Sequence, residues 1–441
     1  MTSTPSTPAD HTMAHLHAAP MRPSRSGPLV DIKVVDLTRA LAGPYCTMIL
    51  ADMGADVIKV EAAPVGDRVR QIGPHTEVDD EHHFGGYFAS NNRNKRSILI
   101  DFDDDIDIER LRELVDSADV LVENFRPGVM EAMGLGYEGL QERNARLVYA
   151  AIRGFGDPRT GESPYADRPV FDVVAQAMSG LVSITGTTEG THVTCGASIG
   201  DLYPATMCAV GILGALHWAQ RTGQGQFVDV GMIDSLMALS ESMAWRYSYE
   251  GVIQPPRGSQ HPSLCPFELY DTQDSSIAIA APKDAHWAAL CRIIDRPELI
   301  DDERTRSARR RVVHRALVRD AIHEWSTKRS TAQVMEALAG RVPAGPVNTM
   351  ADLVDDPHVR ARQMLVAVDH PGSRRPVITP NTPLRFTETP TGVYRRAPLL
   401  GEHTTEVFAE IGVELNPPTV EDSANTGPAV NGINDDAQSQ R

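Results

Sequence analysis

The chain of 441 residues contains only five cysteines, and no two of them form a Cys-x-x-Cys pair. The sequence therefore predicts neither a disulfide framework nor a cysteine-based zinc site, and we expect no bound metal. We expect reduced thiols that pack like small apolar residues at Cys46, Cys195, Cys208, Cys265 and Cys291.

Basic residues are also scarce. The chain has 42 Lys and Arg against 59 Asp and Glu, which gives a formal net charge of -17. This balance argues against nucleic acid or an anionic membrane surface as a partner. No uninterrupted apolar run reaches the ~18–20 residues of a membrane span, and residues 1–28 lack the apolar core of a signal peptide. We therefore expect a cytoplasmic protein.

Two common phosphate-binding motifs are missing, one from the whole sequence and the other from the turn after the first predicted strand. The chain has no Gly-x-x-x-x-Gly-Lys-[Ser/Thr] loop, and the turn after its first predicted strand lacks the Gly-x-Gly-x-x-Gly fingerprint. These absences disfavour a P-loop enzyme and an NAD-dependent oxidoreductase of the usual kind.

Length and composition predict two lobes between polar ends, because single cores rarely grow beyond ~250–300 residues. The expected organisation is a disordered leader (1–28), the first part of a large domain (29–225), a linker strand and helix (226–257), a small domain (258–342), a return to the large domain (343–415) and a disordered tail (416–441).

Short apolar segments alternate with helical segments in the first half of the chain. Residues 33–37 and 56–61 are predicted as buried strands around a helix at 45–53. This rhythm predicts the α/β class, with a Rossmann-like, mainly parallel sheet covered by helices on both faces. A hairpin followed by helices over 258–342 predicts a smaller inserted α+β domain. The rhythm continues with strands at 97–102, 119–124 and 147–152.

Three basic or polar clusters lie at predicted strand ends or in loops. In parallel sheets, ligands bind where the loops at the carboxyl ends of the strands converge. Arginine presents a planar fork of donors to phosphate, and an aromatic ring can stack on a base. A ligand with several phosphates and an adenine would suit this set, although ordinary solvated charge explains any single cluster as well. The clusters are Arg68 with Arg70, then Arg93 with Lys95 and Arg96, and finally Asn124 with Phe125 and Arg126.

Two aspartates stand just before apolar helical segments. Asp201 follows a glycine in "GASIGDLYPA", and Asp172 opens "DVVAQAMSGL". Each is a good helix N-cap, since a carboxylate accepts hydrogen bonds from the first free amides of a helix. Each is also a candidate for carboxylate chemistry, and two acids in comparable settings suggest a pair with different roles. The pattern alone leaves both interpretations open.

Together these motifs resemble family III CoA-transferases, the group of the formyl-CoA and carnitine CoA-transferases. The similarity covers roughly residues 31–412. It implies a Rossmann-like large lobe, an inserted small lobe and two chains interlocked as a homodimer. The stretches that carry it are "DLTRALAGPYCTMILADMGADVIKVE", "NRNKRSILIDF", "ADVLVENFRPGVMEAMGLGYEGL", "GASIGDLYPA", "RTGQGQFVDVGMIDSLMAL", "VPAGPVNT" and "PLLGEHT".

The resemblance implies transfer of CoA from an acyl-CoA to a carboxylic acid, with no cofactor beyond CoA itself. Asp201 would be the nucleophile, passing through an aspartyl anhydride and an aspartyl-CoA thioester, with Asp172 in support. A helix N-terminus would favour the ionised carboxylate that attacks. The CoA contacts implied by the resemblance are Ala40, Leu41, Ala42, Ile100, Asn124, Phe125 and Met133, to which we add Arg93, Lys95, Arg96 and Arg126 as phosphate ligands.

Several positions depart from the formyl-CoA transferases. Leu41 replaces a glutamine, and "RGSQHPSLCP" stands in the region of their tetraglycine loop. His261 in that segment is either a contact of the acyl group or an ordinary loop histidine. The related α-methylacyl-CoA racemases carry a histidine base where this chain has Phe171, which cannot move a proton. A racemase is therefore the alternative enzyme, and a CoA-binding protein without turnover is the alternative from another class.

Overall fold

The computed structural model describes residues 18–76, 79, 83–373 and 376–413. Two short 3₁₀ turns, Arg68–Gln71 and Pro297–Ile300, accompany its strands and helices. The strands are β1 (Ala19–Pro20), β2 (Lys33–Asp36), β3 (Asp56–Ala62), β4 (Arg96–Ile100), β5 (Val120–Glu123), β6 (Val148–Arg153), β7 (Phe227–Gly231), β8 (Phe267–Asp271), β9 (Ser276–Ala280), β10 (Ala344–Pro346), β11 (Leu365–Val368) and β12 (Val377–Pro380).

The helices vary from single turns to one of 24 residues. They are α1 (Ala42–Asp52), α2 (Gly86–Asn91), α3 (Asp105–Asp116), α4 (Val129–Ala132), α5 (Tyr137–Arg143), α6 (Asp172–Met178), α7 (Leu181–Ile184), α8 (Ile199–Thr222), α9 (Met232–Leu239), α10 (Glu241–Glu250), α11 (Asp284–Ile293), α12 (Ala308–Val313), α13 (Arg315–Ser326), α14 (Thr331–Leu338), α15 (Met350–Asp355), α16 (Pro357–Ala361) and α17 (Thr404–Glu410).

The large sheet has six strands in the order β4-β3-β2-β5-β6-β7, and every neighbouring pair is parallel. Strands such as β5 and β6 are buried at every residue, which is why they appear as continuous apolar runs in the sequence. The order reverses between β2 and β5, and in open parallel sheets ligands bind at the carboxyl edge beside such a reversal point. The α/β class predicted from the sequence is confirmed.

Two apolar layers cover the sheet. One layer contains α1 and the long helix α8, which packs against β6 and β7. The other layer contains α3, α5 and the last helix, α17. The chain thus returns to the large lobe at its end, as the sequence predicts.

The small lobe is built on an antiparallel sheet in the order β10-β9-β8. Trp287 and Trp325 lie buried in its core. The third strand, β10, extends the lobe beyond residue 342, the boundary expected from the sequence.

Two expectations about domain organisation need correction. Residues 18–28 are part of the described structure, and β1 pairs with β11 in a third sheet, so these residues are not a disordered leader. Strand β7 is a member of the large sheet rather than a linker, because its backbone completes the ladder of β6. Residues 1–17 and the tail predicted for 416–441 lie outside the described residues.

Among the residues that the structure describes, one helix is long and apolar enough to cross a membrane by length and composition. This helix is α8, with a mean hydropathy of 1.4 over its best window. The expectation that no apolar segment reaches this length is therefore wrong. Buried core helices pass the same test, and α8 packs against α1 and the large sheet.

Candidate functional site

Two loops meet at the point where the strand order reverses. One follows β2 and contains Arg39, and the other follows β5 and begins at Asn124. The Asn124 side chain joins them, because its Oδ1 accepts from the Arg39 N–H and its Nδ2 donates to the Arg39 carbonyl, each at 2.8 Å. In open α/β sheets such a crevice is where ligands bind.

Buried charged groups hydrogen-bond to the backbone of the loop after β2. Lys59 Nζ donates to the Thr38 carbonyl at 2.8 Å, and Asp67 accepts from the Ala40 N–H at 3.3 Å. Ala40 itself has a φ of 65°, a conformation that residues other than glycine seldom adopt. The turn is therefore held in a defined shape by groups that lie outside its own sequence.

The basic cluster of Arg93, Lys95 and Arg96 does not face this crevice. All three cations are buried, and each is paired with an internal carboxylate, so none offers a free charge to phosphate. Our interpretation of them as phosphate ligands is not supported, because their donors are used inside the fold. The pairs are Arg93 with Asp52 at 2.6 Å, Lys95 with Asp36 at 2.9 Å, and Arg96 with Asp56 at 2.6 Å.

Lys95 affects the crevice only indirectly. Its Nζ donates to the Pro44 carbonyl at 2.9 Å, just inside the helix that follows the β2 loop. Burial lowers the pKa of this lysine to about 8, while the charge of Asp36 opposes the shift. The residue is thus a buried support of the loop and not a ligand-facing cation.

The other residues expected to contact CoA differ in how exposed they are to solvent. Ala40 and Arg126 are exposed, and Asn124 and Met133 are half-buried, so these four can meet a ligand. Leu41, Ala42, Phe125 and Ile100 are buried, and Ile100 belongs to the core on the edge strand β4, two strands away from β2.

Phe125 does not present an open ring to a base. It is 7% exposed, and the Arg39 guanidinium lies 4.5 Å from the centre of its ring. Its N–H donates to Glu123 at 2.7 Å, and Glu123 in turn accepts from Arg153 at 2.6 Å. Phe125 therefore positions the β5 loop and Arg39 from within the protein.

Replacing Asn124 with alanine should weaken acyl-CoA binding. The change removes both hydrogen bonds that join the two loops, so we expect KM for acyl-CoA to rise about tenfold while kcat changes less than threefold. Steady-state kinetics test this. Asn144→Ala is the matched control, because Asn144 Nδ2 also joins loops by donating to the Ala118 carbonyl, but at the amino ends of the strands. An equal rise of KM in both variants would contradict the crevice as the CoA site.

Asp201 lies in the first turn of α8, but it does not cap the helix. The helix begins at Ile199 with Ser198 at the N-cap position, so Asp201 is its third residue. Within the described part of the chain, no group donates a hydrogen bond to its carboxylate, which is half-buried. Both carboxylate oxygens therefore keep lone pairs that are free for attack.

Asp172 contacts the start of the same helix. Its Oδ1 accepts from the Gly200 N–H at 2.7 Å, and Gln176 Nε2 donates to both of its oxygens at 3.0 Å. Asp172 thus satisfies a free amide of α8 and not one of its own helix, α6. The two aspartates predicted as a pair are brought together, with different hydrogen bonding.

The pKa of Asp201 is raised to about 7, first by burial and second by the charge of Asp172. The helix N-terminus favours the ionised carboxylate, as expected from the sequence, but desolvation and the like charge of Asp172 act in the opposite direction and raise the pKa. At neutral pH the carboxyl is divided between its two forms. An ionised carboxylate there is poorly solvated and correspondingly reactive.

Tyr87 and Asp67 are further polar residues of this region, and sequence reasoning missed both. Burial raises the pKa of the half-buried Tyr87 phenol, and so do the charges of Asp201, Asp172 and Asp67. The phenol therefore lies within electrostatic reach of all three carboxylates. Asp67 also accepts from Ala40 in the β2 loop. No local pattern marks these residues, because three separate segments bring them together.

Residues 196–200 also contain the letters Gly-x-Ser-x-Gly of the hydrolase nucleophile turn. That turn joins a strand to a helix, so that the serine stands at the sharp bend. Here no strand precedes Ser198, which is simply the N-cap residue of α8. The geometry favours Asp201 as the reactive group.

Two other predicted positions have ordinary surroundings. His261 Nδ1 accepts from the Ser263 N–H at 3.1 Å, and its ring packs against Phe267. Burial lowers its pKa, with further contributions from Arg315 and Arg246. Phe171, at the position of the racemase histidine, is 69% exposed. Neither residue supplies a base beside Asp201.

The parallel sheet, its reversal point between β2 and β5 and the half-buried aspartate at a helix start are features of an α/β protein with a carboxylate available for chemistry. A family model for CoA-transferase family III matches residues 29–404, and the chain belongs to this family. It is therefore an acyl-CoA:carboxylate CoA-transferase.

Curated relatives support the same conclusion. The chain is 46% identical over 395 residues to a succinyl-CoA:mesaconate CoA-transferase of Haloarcula marismortui, covering 90% of this chain and 99% of that protein. It is 37% identical to a succinate–glutarate CoA-transferase of Agrobacterium fabrum, covering 88% and 97% of the two chains. A crystal structure of a CAIB/BAIF family protein from Brucella suis superposes with a TM-score of 0.78 at 34% identity, covering 88% of this chain and all of that one.

Proposed function

We propose that the protein transfers CoA from succinyl-CoA to a short dicarboxylic acid, and that Asp201 carries the acyl group and then CoA. The observation that carries the proposal is the Asp201 carboxyl itself, which is half-buried, free of hydrogen-bond donors among the described residues and has a pKa of about 7. The names of the relatives supply the substrate class, since one names succinyl-CoA and mesaconate and the other names succinate and glutarate.

Four balanced displacements complete the reaction. An Asp201 oxygen attacks the thioester carbonyl, the carbon–sulfur bond breaks, and CoA leaves as a thiolate with a mixed anhydride on the enzyme. The thiolate then attacks the Asp201 carbonyl, so the donor acid leaves and an aspartyl-CoA thioester remains. The acceptor carboxylate attacks that thioester and expels the thiolate. The thiolate finally attacks the acceptor carbonyl, which releases the new acyl-CoA and the Asp201 carboxylate.

The surrounding residues orient these steps and do not exchange protons in them. Asp172 fixes the start of α8 through Gly200. The crevice beside Asn124 and Ala40 would receive CoA, with Arg126 exposed at its edge for phosphate. Keeping the thiolate in that crevice between the first and second steps makes its return to Asp201 an intramolecular event, which is strongly favoured.

Loading of CoA onto the enzyme should accelerate as the pH rises. Only the ionised Asp201 attacks, and its pKa in the folded protein is about 7. Single-turnover loading should therefore increase about tenfold per pH unit well below pH ~7 and level off above it. In Asp172→Asn the neighbouring charge is lost, so the midpoint should move to lower pH. A loading rate that is independent of pH across this range would contradict the assignment.

The specificity for the acceptor acid can be tested with succinyl-CoA as the only CoA donor and a series of carboxylic acids as acceptors. We expect succinyl-CoA to load the enzyme, and dicarboxylic acids of four to six carbons to accept CoA faster than monocarboxylic acids of equal length. Chromatography of the CoA esters measures both. A preference for monocarboxylic acids would overturn the substrate class while leaving CoA transfer intact.

We also propose that the active form is a homodimer. Helix α10 has no buried residue, and its aromatic side chains Tyr247 and Tyr249 are 64% and 86% exposed, with Ile253 beyond it at 81%. Isolated apolar groups at a surface are common, but this continuous exposure is typical of an interface.

If the protein is a dimer, charged substitutions in the interface should reduce its mass in solution to that of a monomer. Sedimentation analysis should give twice the chain mass for the parent, and Tyr249→Lys combined with Ile253→Lys should shift it to the monomer, since two charges would be buried unpaired. Val313→Lys is the control, because Val313 is 72% exposed on the small lobe. A monomeric parent would contradict the proposal.

A further inference from the structure

Gln176 occupies a central place behind the two aspartates. It is fully buried on α6 and uses both ends of its amide. Its Oε1 accepts from the Cys195 N–H at 2.9 Å, and its Nε2 donates to both oxygens of Asp172 at 3.0 Å. Asp172 in turn accepts from Gly200, the residue before Asp201. Gln176 therefore joins α6 to the segment that precedes α8, and it is linked to the first turn of α8 only through Asp172.

These partners determine the orientation of the amide. A backbone N–H can only donate, so Oε1 must face Cys195, and a carboxylate can only accept when ionised, so Nε2 must face Asp172. A glutamate would keep the acceptor but lose the donor, and a methionine would lose both. A buried amide with both ends satisfied rigidifies its surroundings, whereas a half-satisfied one is costly.

The hydrogen bonds of Gln176 affect Asp201 through Asp172. That carboxylate holds the Gly200 amide, and Gly200 precedes Asp201 directly in the first turn of α8. If Asp172 rotated, the first turn would lose its buried acceptor, and the Asp201 carboxylate would move with it. Small displacements of a reacting group are expensive, because attack needs a short and well-aligned approach.

We propose that Gln176 is a positioning residue of the transfer reaction, which acts on Asp201 by fixing the Asp172 carboxylate. This inference rests on the proposed role of Asp201 as nucleophile. Gln176 itself touches no substrate and exchanges no proton. Its effect is to keep the start of α8 in the orientation that presents Asp201 toward the crevice.

The test is a double-mutant cycle on transfer kinetics of the full chain with succinyl-CoA. Gln176→Met should lower kcat about 10- to 100-fold and leave KM for the acyl-CoA within about twofold, since the CoA crevice is untouched. Asp172→Ala should lower kcat similarly. The double variant should be no slower than Asp172→Ala alone, because Gln176 acts through that carboxylate.

Two further variants separate positioning from general stability. Gln176→Glu keeps the acceptor for Cys195 and loses the donor to Asp172, so its kcat should fall like that of Gln176→Met. Ser326→Ala removes the hydrogen bond that another buried side chain donates to the Asp271 carbonyl in the small lobe, and should lower thermal stability with kcat unchanged.

Each outcome is decisive. The inference is overturned if Gln176→Met and Gln176→Glu keep the kcat of the parent, if the loss appears in KM alone, or if the two substitutions at Gln176 and Asp172 are additive. Should Gln176→Met fail to fold, the Gln176→Glu variant carries the same test. A parent that shows no transfer and no labelling at Asp201 would instead refute the proposed function.

Discussion

The Asp201→Asn variant should lose transfer almost completely, by about 10³-fold or more in kcat. The amide has the shape of the carboxylate but is not a nucleophile toward a thioester, so neither the anhydride nor the aspartyl-CoA can form. Binding of CoA should persist, because the crevice after β2 and β5 is unchanged. Coupled transfer assays and equilibrium binding of CoA measure the two effects separately.

The same substitution should stabilise the fold at neutral and higher pH. The pKa of Asp201 is raised from 3.8 to about 7, so the folded state binds the proton more tightly than the unfolded chain does. The stability of the parent therefore falls as the pH rises from 3.8 through about 7. The full shift would correspond to about 4 kcal/mol, and we expect about 1–2 kcal/mol because the carboxyl keeps partial contact with water.

A matched control exists on the next helix. Asp234 is the third residue of α9, as Asp201 is of α8, but it is exposed. Asp234→Asn should leave kcat within about twofold of the parent and should not raise thermal stability. If Asp201→Asn retained transfer, or if both variants lost it equally, the role of Asp201 would be refuted.

The Gly200→Ala variant should have the second largest effect. An added Cβ would lie 2.5 Å from the Asp172 carbonyl oxygen and 2.7 Å from its Oδ1, which is closer than real contacts allow. The start of α8 must therefore move away from Asp172. We expect a loss of about 2–3 kcal/mol in the free energy of unfolding and a fall in kcat of about 10- to 100-fold.

Gly214→Ala tests whether this effect is local. Gly214 lies in the same helix, and a Cβ there meets no atom of the described structure within 4 Å. This variant should be more stable by about 0.5–1 kcal/mol, because alanine favours a helix interior over glycine, and its kcat should not change. Equal effects at both glycines would contradict the close contact of Gly200 with Asp172.

The sheet and the position of Asp201 could be predicted from the sequence, for a physical reason. Parallel strands are buried on both faces, so β5 and β6 appear as apolar runs that stand out locally. The glycine before Asp201 was a further signal, since glycine in the first turn of a helix often permits a close approach of another segment. Here Gly200 permits the approach of Asp172.

Long-range pairing could not be predicted. The basic cluster has the composition of a phosphate site, but Arg93 and Lys95 are paired with Asp52 and Asp36, which are 41 and 59 residues away. Nothing in the local sequence distinguishes a cation that faces a ligand from one that pairs inside the fold. The same holds for Gln176, because only the tertiary structure brings it to Cys195, which is 19 residues away.

The most direct test of the account is to trap the enzyme-bound intermediate. The protein is mixed with succinyl-CoA, treated with hydroxylamine, digested and mapped by mass spectrometry, with Asp201→Asn in parallel. The account predicts a hydroxamate at Asp201 in the parent and none in the variant. A hydroxamate at another residue would contradict it, and so would efficient transfer by a parent that shows no labelling at all.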